Sequence, residues 1–352
     1  MRRPGRSAAT GERVKKTLKT IGLGCLGGLV ATLFSLPLAW MLGALFMVMG
    51  VSLAGVRTGV DKRLHRVAIA LLGLFIGSRI HADELVSLVQ WYPSVLAMLV
   101  YMVLMLAGGY WIFARARVGS LNAMFCAYPG SMNSALVLAE RAHGDLRWIA
   151  ISHSLRLVTV VSGAALLASL FVDSVALPPS AEPLSLMGVL PLLLAPACWW
   201  LGRLIRLPLP EFLGPMAAGA LIANVGVAYT LPNEILLVTF LVLGSSVGSR
   251  FSGTHWKQVV RVGRFGMLYA LFALVVAALM AWLVASVTSL PFVAVMLALI
   301  PGGVGEMAVI AMVMGIDPVY VVSHHILRLL LLIFMTPLMI RLTTLAAPET
   351  PP

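Results

Sequence analysis

PGSMNSALVLAERAHGDLRWIAISHSLRL, at residues 129–157, returns in altered form as PGGVGEMAVIAMVMGIDPVYVVSHHILRL at residues 301–329. A shift of 172 positions superimposes, among others, Pro129 on Pro301, Gly130 on Gly302, His153 on His325 and Arg156 on Arg328. Two further blocks repeat at a shift of 171, residues 36–43 on 207–214 and residues 73–79 on 244–250. Three ordered blocks at nearly one offset indicate an internal duplication.

The composition places the chain in a lipid bilayer. Hydrophobic residues make up 60% of it and charged residues 11%, whereas about a quarter of a soluble domain is charged. Most apolar segments approach the ~20 residues that cross a hydrocarbon core as a helix. The three cysteines are far apart in apolar segments, so the sequence predicts neither a disulfide framework nor a cysteine metal site. We therefore predict an all-α polytopic membrane protein without a metal or other cofactor.

Each repeat is predicted to hold five transmembrane helices and one segment broken by Pro-Gly. The predicted spans are 18–35, 38–56, 66–80, 92–114 and 146–172, then 185–203, 209–228, 233–250, 264–287 and 318–341; the broken segments are 119–140 and 292–314. The predicted domains are a basic cytoplasmic tail (1–17), membrane repeat one (18–172), an extracytoplasmic linker (173–183), membrane repeat two (184–342) and a cytoplasmic tail (343–352).

The distribution of Lys and Arg predicts how the broken segments meet the membrane. Cytoplasmic loops are enriched in these residues, and the basic start of the chain sets the N-terminus in the cytoplasm. If both broken segments enter and leave on one side, Arg79 alone faces outward; if both cross, eight further basic residues do. We therefore predict re-entrant segments, ten crossings, two cytoplasmic termini and two repeats of inverted topology, a plan typical of secondary transporters.

The breaks and the arginines are the first candidate site residues. Proline followed by glycine leaves backbone groups without helical partners, which predicts functional helix breaks at Pro129-Gly130 and Pro301-Gly302-Gly303. Arg156 and Arg328 each lie about ten residues, roughly 15 Å, inside a span. A charge at that depth needs a partner or a ligand. Two roles remain open for these arginines: braces bonded to the loosened carbonyl groups, or clamps for an anionic substrate.

The polar residues beside the breaks are candidates for substrate binding and ion coupling. His153 and His325 precede the arginines by three residues and could relay protons or serve as hydrogen-bonded packing residues. Glu306 is the one carboxylate expected inside an apolar segment, and it would carry a coupling charge or form a salt bridge with Arg156 or Arg328. In the first repeat the corresponding break offers neutral ligands instead, Ser131, Asn133 and Ser134.

These motifs resemble those of the AbrB family of bacterial inner-membrane proteins. The matching residues are the LP and LG pairs (Pro37, Gly43, Pro208, Gly214), the Pro-Gly breaks, and the HSLRL and HHILRL runs. The resemblance implies a membrane protein that carries the label of ammonia monooxygenase or of regulator of gene expression. Because the seven histidines form no group beyond the adjacent pair His324-His325, whereas a copper site requires a cluster of ligands, we disfavour the first label.

The leading functional hypothesis is a secondary carrier, and not an enzyme. It would move a small organic anion coupled to H⁺ or Na⁺ across the inner membrane. The alternative is a membrane sensor or regulator that affects gene expression indirectly, since the short basic tail cannot form a DNA-binding module. The expected partners are the bilayer, the anion, its coupling cation and a second copy of the chain in a homodimer, with no direct contact to nucleic acid.

Overall fold

The computed structural model describes residues 6–80, 88–130, 132–170, 186–226 and 232–346, and all their regular structure is helical. The all-α prediction is thereby confirmed for these ranges, while the predicted linker 173–183 lies outside them. The α-helices are α1 (Arg6–Leu33), α2 (Ala39–Leu53), α3 (Lys62–Gly77), α4 (Tyr92–Ala114), α5 (Ser120–Ala127), α6 (Met132–Arg141), α7 (Leu146–Ser169), α8 (Leu186–Leu204), α9 (Pro210–Asn224), α10 (Asn233–Gly248), α11 (Trp256–Val287), α12 (Phe292–Leu299), α13 (Val304–Val313) and α14 (Pro318–Ala346).

Five helices in the described ranges are long and apolar enough to cross a membrane. They lie at Tyr92–Ala114, Leu146–Leu167, Asn233–Phe251, Trp256–Val287 and Pro318–Pro337. The first coincides with the predicted span 92–114. The fourth begins eight residues before the predicted position 264, because residues 256–263 contain no proline and continue the helix. The predicted multi-pass membrane protein is therefore consistent with the helix lengths.

The turn that precedes the second helix of each repeat has the same backbone conformation. Ser35 and Leu38 have φ angles of 51° and 52°, and Arg206 and Leu209 have φ angles of 57° and 49°. These four residues are not glycines, so each occupies the left-handed region at a cost. The matching angles lie 171 positions apart, at the Leu-Pro-Leu sequences of residues 36–38 and 207–209.

The chain forms two compact units, and each unit takes helices from both repeats. The first comprises Met1–Val86, Val172–Trp256 and Met312–Gly315, and therefore contains α1–α3 and α8–α10. The second comprises Ser87–Phe171, Lys257–Ala311 and Ile316–Pro352, and contains α4–α7 and nearly all of α11–α14. The candidate site residues named above all belong to the second unit.

Glycines in the first unit let helices of opposite repeats touch through their backbones. A Cβ atom added to Gly73 of α3 would meet the carbonyl group of Phe212 in α9. Reciprocally, a Cβ atom added to Gly244 of α10 would meet the carbonyl group of Met41 in α2. Gly244 lies 171 positions after Gly73, and Phe212 lies 171 positions after Met41, so the two contacts join equivalent positions of the repeats. Small residues permit such close packing of apolar helices.

The second unit contains the two predicted helix breaks. The first break separates α5 from α6, and the second separates α12 from α13. Pro129 and Pro301, at the breaks, are buried. The glycines there do not have the left-handed backbone angles that the sequence suggested. They leave room for neighbouring side chains instead: a Cβ atom added to Gly130 would meet the ring of Tyr128, and one added to Gly302 would meet Met307.

Candidate functional site

Arg156 closes the helix break of its own repeat. Its side chain is 5% exposed and projects from α7 toward the loop between α5 and α6. Nη1 donates a hydrogen bond to the carbonyl oxygen of Tyr128 at 2.7 Å, and Nη2 donates to that of Gly130 at 3.1 Å. The guanidinium thus satisfies carbonyl groups that the break removes from helical hydrogen bonding, as a buried backbone requires.

Arg328 repeats this arrangement in the second half. Its side chain is 3% exposed, and Nη1 donates to the carbonyl oxygens of Ile300 at 3.0 Å and Leu299 at 3.3 Å. Nη2 donates to the carbonyl oxygen of Gly302 at 3.2 Å. The bracing role that the sequence left open is therefore present at both arginines.

The histidine three residues before each arginine holds the guanidinium from the side. Nδ1 of His153 is 3.2 Å from Nη2 of Arg156, and Nδ1 of His325 is 3.0 Å from Nη2 of Arg328. An arginine can only donate, so each Nδ1 accepts and carries no hydrogen. The opposite nitrogen, Nε2, lies 2.9 Å from the carbonyl oxygen of Phe125 in the first case and 3.0 Å from that of Leu297 in the second. Both imidazoles are thus assigned as neutral Nε2–H tautomers.

Two buried tyrosines complete the centre of the second unit. The ring centroid of Tyr269 lies 5.9 Å from Cζ of Arg156, and its hydroxyl donates to the carbonyl oxygen of Ala127 at 2.6 Å. Tyr101 donates to the carbonyl oxygen of Ala273 at 3.1 Å. Both phenols and both guanidinium groups are within electrostatic range of one another. Sequence analysis missed these tyrosines, because neither recurs at the offset of the repeat; their only signal is a hydroxyl in an apolar span.

The two guanidinium groups bring positive charge into this centre without a described acidic partner. Nε of Arg156 and Nε of Arg328 are both buried and have no hydrogen-bond acceptor. Neither arginine forms an ion pair with an acidic residue in the described ranges. A buried charge without a partner is costly, so the arrangement favours an anion that supplies the missing negative charge.

Glu306 is buried near the second break and is separate from the arginines. It is the third residue of α13 and is 6% exposed. A Cβ atom added to Gly303 would meet its carboxylate oxygen. Within the part of the chain that the structure describes, no residue forms a hydrogen bond or ion pair with this carboxylate, so the salt bridge to Arg156 or Arg328 considered above is not observed.

The neutral residues predicted at the first break are described only in part. Ser131 lies outside the described residues, and Asn133 is described as a backbone position of α6 without its side chain. Ser134 is exposed and interacts with another group of the chain. Their role as substrate ligands stays a prediction. Elsewhere in the described ranges, no three His, Cys, Asp or Glu side chains lie together as metal ligands would.

Comparison with known proteins gives matches over most of the chain. A family profile described as "Transition state regulatory protein AbrB" matches residues 40–344. An Escherichia coli (strain K12) protein named "Putative regulator AbrB" is 27% identical over 326 residues, which covers 89% of this chain and 92% of that protein. A Bacillus subtilis (strain 168) protein named "Uncharacterized protein YhjN" is 23% identical over 363 residues, with 94% of each chain covered. The similarity therefore includes both repeats.

Proposed function

This chain belongs to the AbrB family, as its sequence motifs predict, and we propose that it is a secondary carrier of a small organic anion. In this proposal the carrier lies in the bacterial inner membrane with both termini in the cytoplasm, and the anion moves together with H⁺ or Na⁺. The name of the Escherichia coli relative describes that protein as a regulator; a regulatory role for this chain remains the alternative.

One observation carries the proposal: two buried guanidinium groups share the centre of the second unit, and each has an Nε–H group without an acceptor. A carboxylate is the common metabolic group that matches a guanidinium in charge and geometry. The helices α6 and α13 begin directly after the two breaks, and helix N-termini add positive potential and free amide donors. The chemistry of the centre therefore supports an anionic substrate.

The coupling charge is assigned to Glu306. Four carbonyl oxygens at the breaks that could otherwise bind Na⁺, those of Tyr128, Gly130, Ile300 and Gly302, already accept hydrogen bonds from Arg156 and Arg328. Glu306 is buried, titratable and without a described partner, which is the condition of an intramembrane carboxylate that binds and releases a cation. His153 and His325 contribute indirectly, because they hold the arginines in place.

The proposed topology has inverted repeats and re-entrant broken segments. Two reciprocal contacts support a two-fold relation between the repeats: Gly73 contacts Phe212, and Gly244 contacts Met41. In a two-fold relation, a contact from the first repeat to the second is matched by the same contact from the second repeat to the first. The half-helices α5 and α12 have 8 residues each, or about 12 Å, far less than the ~30 Å of a hydrocarbon core. Short halves of this length suit hairpins that enter the membrane and return.

A thermal-shift screen of the purified protein tests the proposal. A ligand that binds only the folded state raises the unfolding temperature, so we expect acetate, succinate, glutamate or citrate to raise it and amines of similar size to have no effect. This comparison of anions with amines uses the wild-type protein alone, so it does not depend on whether a variant folds. Arg328→Gln should remove the anion effect, whereas Arg261→Gln, at an exposed position of α11, should retain it. Stabilisation by amines alone, or by none of the compounds, would reject an anion carrier.

A further inference from the structure

A second buried polar cluster lies in the same unit, between α4 and α14. It consists of Trp91, Ser94, Tyr320 and His324, which are at most 9% exposed. The ring of Tyr320 packs edge-on against Trp91 with centroids 5.0 Å apart and lies 4.4 Å from the ring of His324. Sequence analysis passed over His324, although a polar residue inside an apolar span is itself a signal of function.

Three short contacts run in series through this cluster. Nδ1 of His324 is 2.9 Å from the carbonyl oxygen of Tyr320. Nε2 of the same ring is 2.8 Å from Oγ of Ser94. Oγ of Ser94 is also 2.8 Å from the carbonyl oxygen of Trp91. The two ends of the series are carbonyl groups, which only accept hydrogen bonds, so Nδ1 must carry a hydrogen.

Counting hydrogens shows that the neutral cluster is one short. A neutral imidazole has a single N–H group, and here it is used at Nδ1. The one hydrogen of the Ser94 hydroxyl then serves either Nε2 of His324 or the carbonyl oxygen of Trp91, and the other contact has none. With a second hydrogen on Nε2, the ring donates to Ser94, Ser94 donates to Trp91, and all three contacts become hydrogen bonds.

His153 and His325 behave in the opposite way. Their Nδ1 atoms accept from Nη2 of Arg156 and Arg328, so a second ring hydrogen would point at a guanidinium donor and break that bond. Of the three histidines described as buried, His324 is the one in which an added proton completes the hydrogen bonding. In the first repeat the corresponding position, 172 residues earlier, is occupied by the buried Ser152, whose hydroxyl does not take up a proton as an imidazole does. The proton-accepting arrangement thus belongs to the second repeat.

The groups that face His324 do not include a described acid. On α14 they are the phenol of Tyr320, whose hydroxyl lies beside Ser94, and the neutral ring of His325, which is within electrostatic range. On α4 and the turn before it they are Ser94 and Trp91, neither of which titrates. Burial alone opposes a charged imidazole. Hydrogen bonds from an ionised donor are about twice as strong as neutral ones, and they offset part of this cost.

We propose that His324 binds a second proton in the carrier, in addition to the coupling charge assigned to Glu306, through the hydrogen-bonded series from Tyr320 to Trp91. This deepens the proposed function, on which it rests: one transported ion is H⁺, and the residue that receives it is His324, with Ser94 as its acceptor. The proton enters as H⁺ on Nε2 and leaves from the same atom, so no other group changes its bonding. Glu306 remains a separate acid at the second break.

Nuclear magnetic resonance of the full chain, with ¹⁵N-labelled histidine and in lipid nanodiscs, tests the inference. The number of ring nitrogens that carry hydrogen is read from one-bond ¹⁵N–¹H couplings, and His324→Gln identifies the signal. At about pH 5, below the pKa of free histidine, we expect both nitrogens of His324 to carry hydrogen. His153 and His325 should each show one. A His324 ring with a single hydrogen throughout the range from about pH 5 to 8 would overturn the inference without any variant.

Two substitutions sharpen this result. Ser94→Ala removes the acceptor of the added proton and should lower the ratio of doubly to singly protonated His324 by about tenfold. Ser286→Ala removes a hydroxyl that bonds the carbonyl group three residues earlier, as Ser94 does, but at an exposed position of α11, so it should not change the ratio. An unchanged ratio in Ser94→Ala would contradict the series. If His324 is doubly protonated but no anion stabilises the protein, the proton site stands and the anion carrier is rejected. If anions stabilise the protein but His324 carries a single hydrogen throughout, only the proton site is rejected.

Discussion

The guanidinium of Arg156 and that of Arg328 each hold the helix break of their own repeat by hydrogen bonds to carbonyl groups in matching positions. The carbonyl groups of Tyr128 and Gly130 are bonded in one repeat, and those of Ile300 and Gly302 in the other. In both cases Nε–H is left without an acceptor. Each arginine is therefore a structural brace whose Nε–H group is left over, and in the proposed carrier this donor would meet the anion.

Replacement of Arg328 should destabilise the protein strongly. Arg328→Ala leaves the carbonyl oxygens of Ile300 and Gly302 buried without donors, at an expected cost of about 2–4 kcal/mol in the free energy of unfolding. Arg328→Lys should cost less, because an ammonium retains the charge and can reach one carbonyl. Denaturant unfolding in detergent micelles measures the difference, with the exposed Arg261→Ala as the control. Equal stability of Arg328→Ala and wild type would exclude the bracing role.

The histidines should be required for stability as neutral side chains. His325→Ala deprives the carbonyl oxygen of Leu297 of a donor and Arg328 of an acceptor, and we expect a loss of about 1–3 kcal/mol in the free energy of unfolding. His153→Ala should have a similar effect, since its contacts are equivalent. His255→Ala, at an exposed position, serves as the matched control in the same unfolding experiment. A loss no greater than that of the control would mean that the imidazoles do not position the arginines.

The reciprocal glycine contacts should be equally sensitive to added methyl groups. Gly73→Ala and Gly244→Ala each place a Cβ atom against a backbone carbonyl group, which cannot move as a flexible side chain can, and overpacking of this kind costs about 1–3 kcal/mol. Gly50→Ala in α2 meets nothing within 4 Å and should be neutral or stabilising by up to about 1 kcal/mol. Unfolding temperatures of the three variants measure this. A large effect at only one of the two contact glycines would argue against equivalent packing of the repeats.

Glu306→Gln should separate coupling from folding. Because the carboxylate has no described partner, the variant should unfold within about 0.5 kcal/mol of wild type. In proteoliposomes, uptake of the carboxylate that gives the largest thermal shift should lose its dependence on the cation gradient. Glu211→Gln, in the first turn of α9, is the control. If Glu306→Gln abolishes transport but still restores the phenotype of a deletion strain, the regulatory alternative is favoured over the carrier.

The sequence by itself determined the helical segments and the repeated blocks. An apolar segment of about 20 residues, a Pro-Gly pair inside such a segment, and an arginine ten residues into a span are all local patterns. Hydropathy, backbone chemistry and charge bias therefore suffice to predict the helices, the two breaks and Arg156 with Arg328 as buried cations. The repeat offset added the correspondence between the halves, since it requires only a comparison of the chain with itself.

Only the tertiary structure decided which groups meet. Ser94 and His324 are 230 residues apart, and the pairing of Gly73 with Phe212 joins opposite repeats; neither follows from any local pattern. The brace and clamp roles of the arginines were equally compatible with the sequence, because a buried guanidinium takes whichever acceptor the neighbouring helix presents. Hydropathy orders helices across a membrane but does not choose their neighbours. That choice depends on small residues, hydrogen-bond geometry and packing between distant segments, which exist only once the chain has folded.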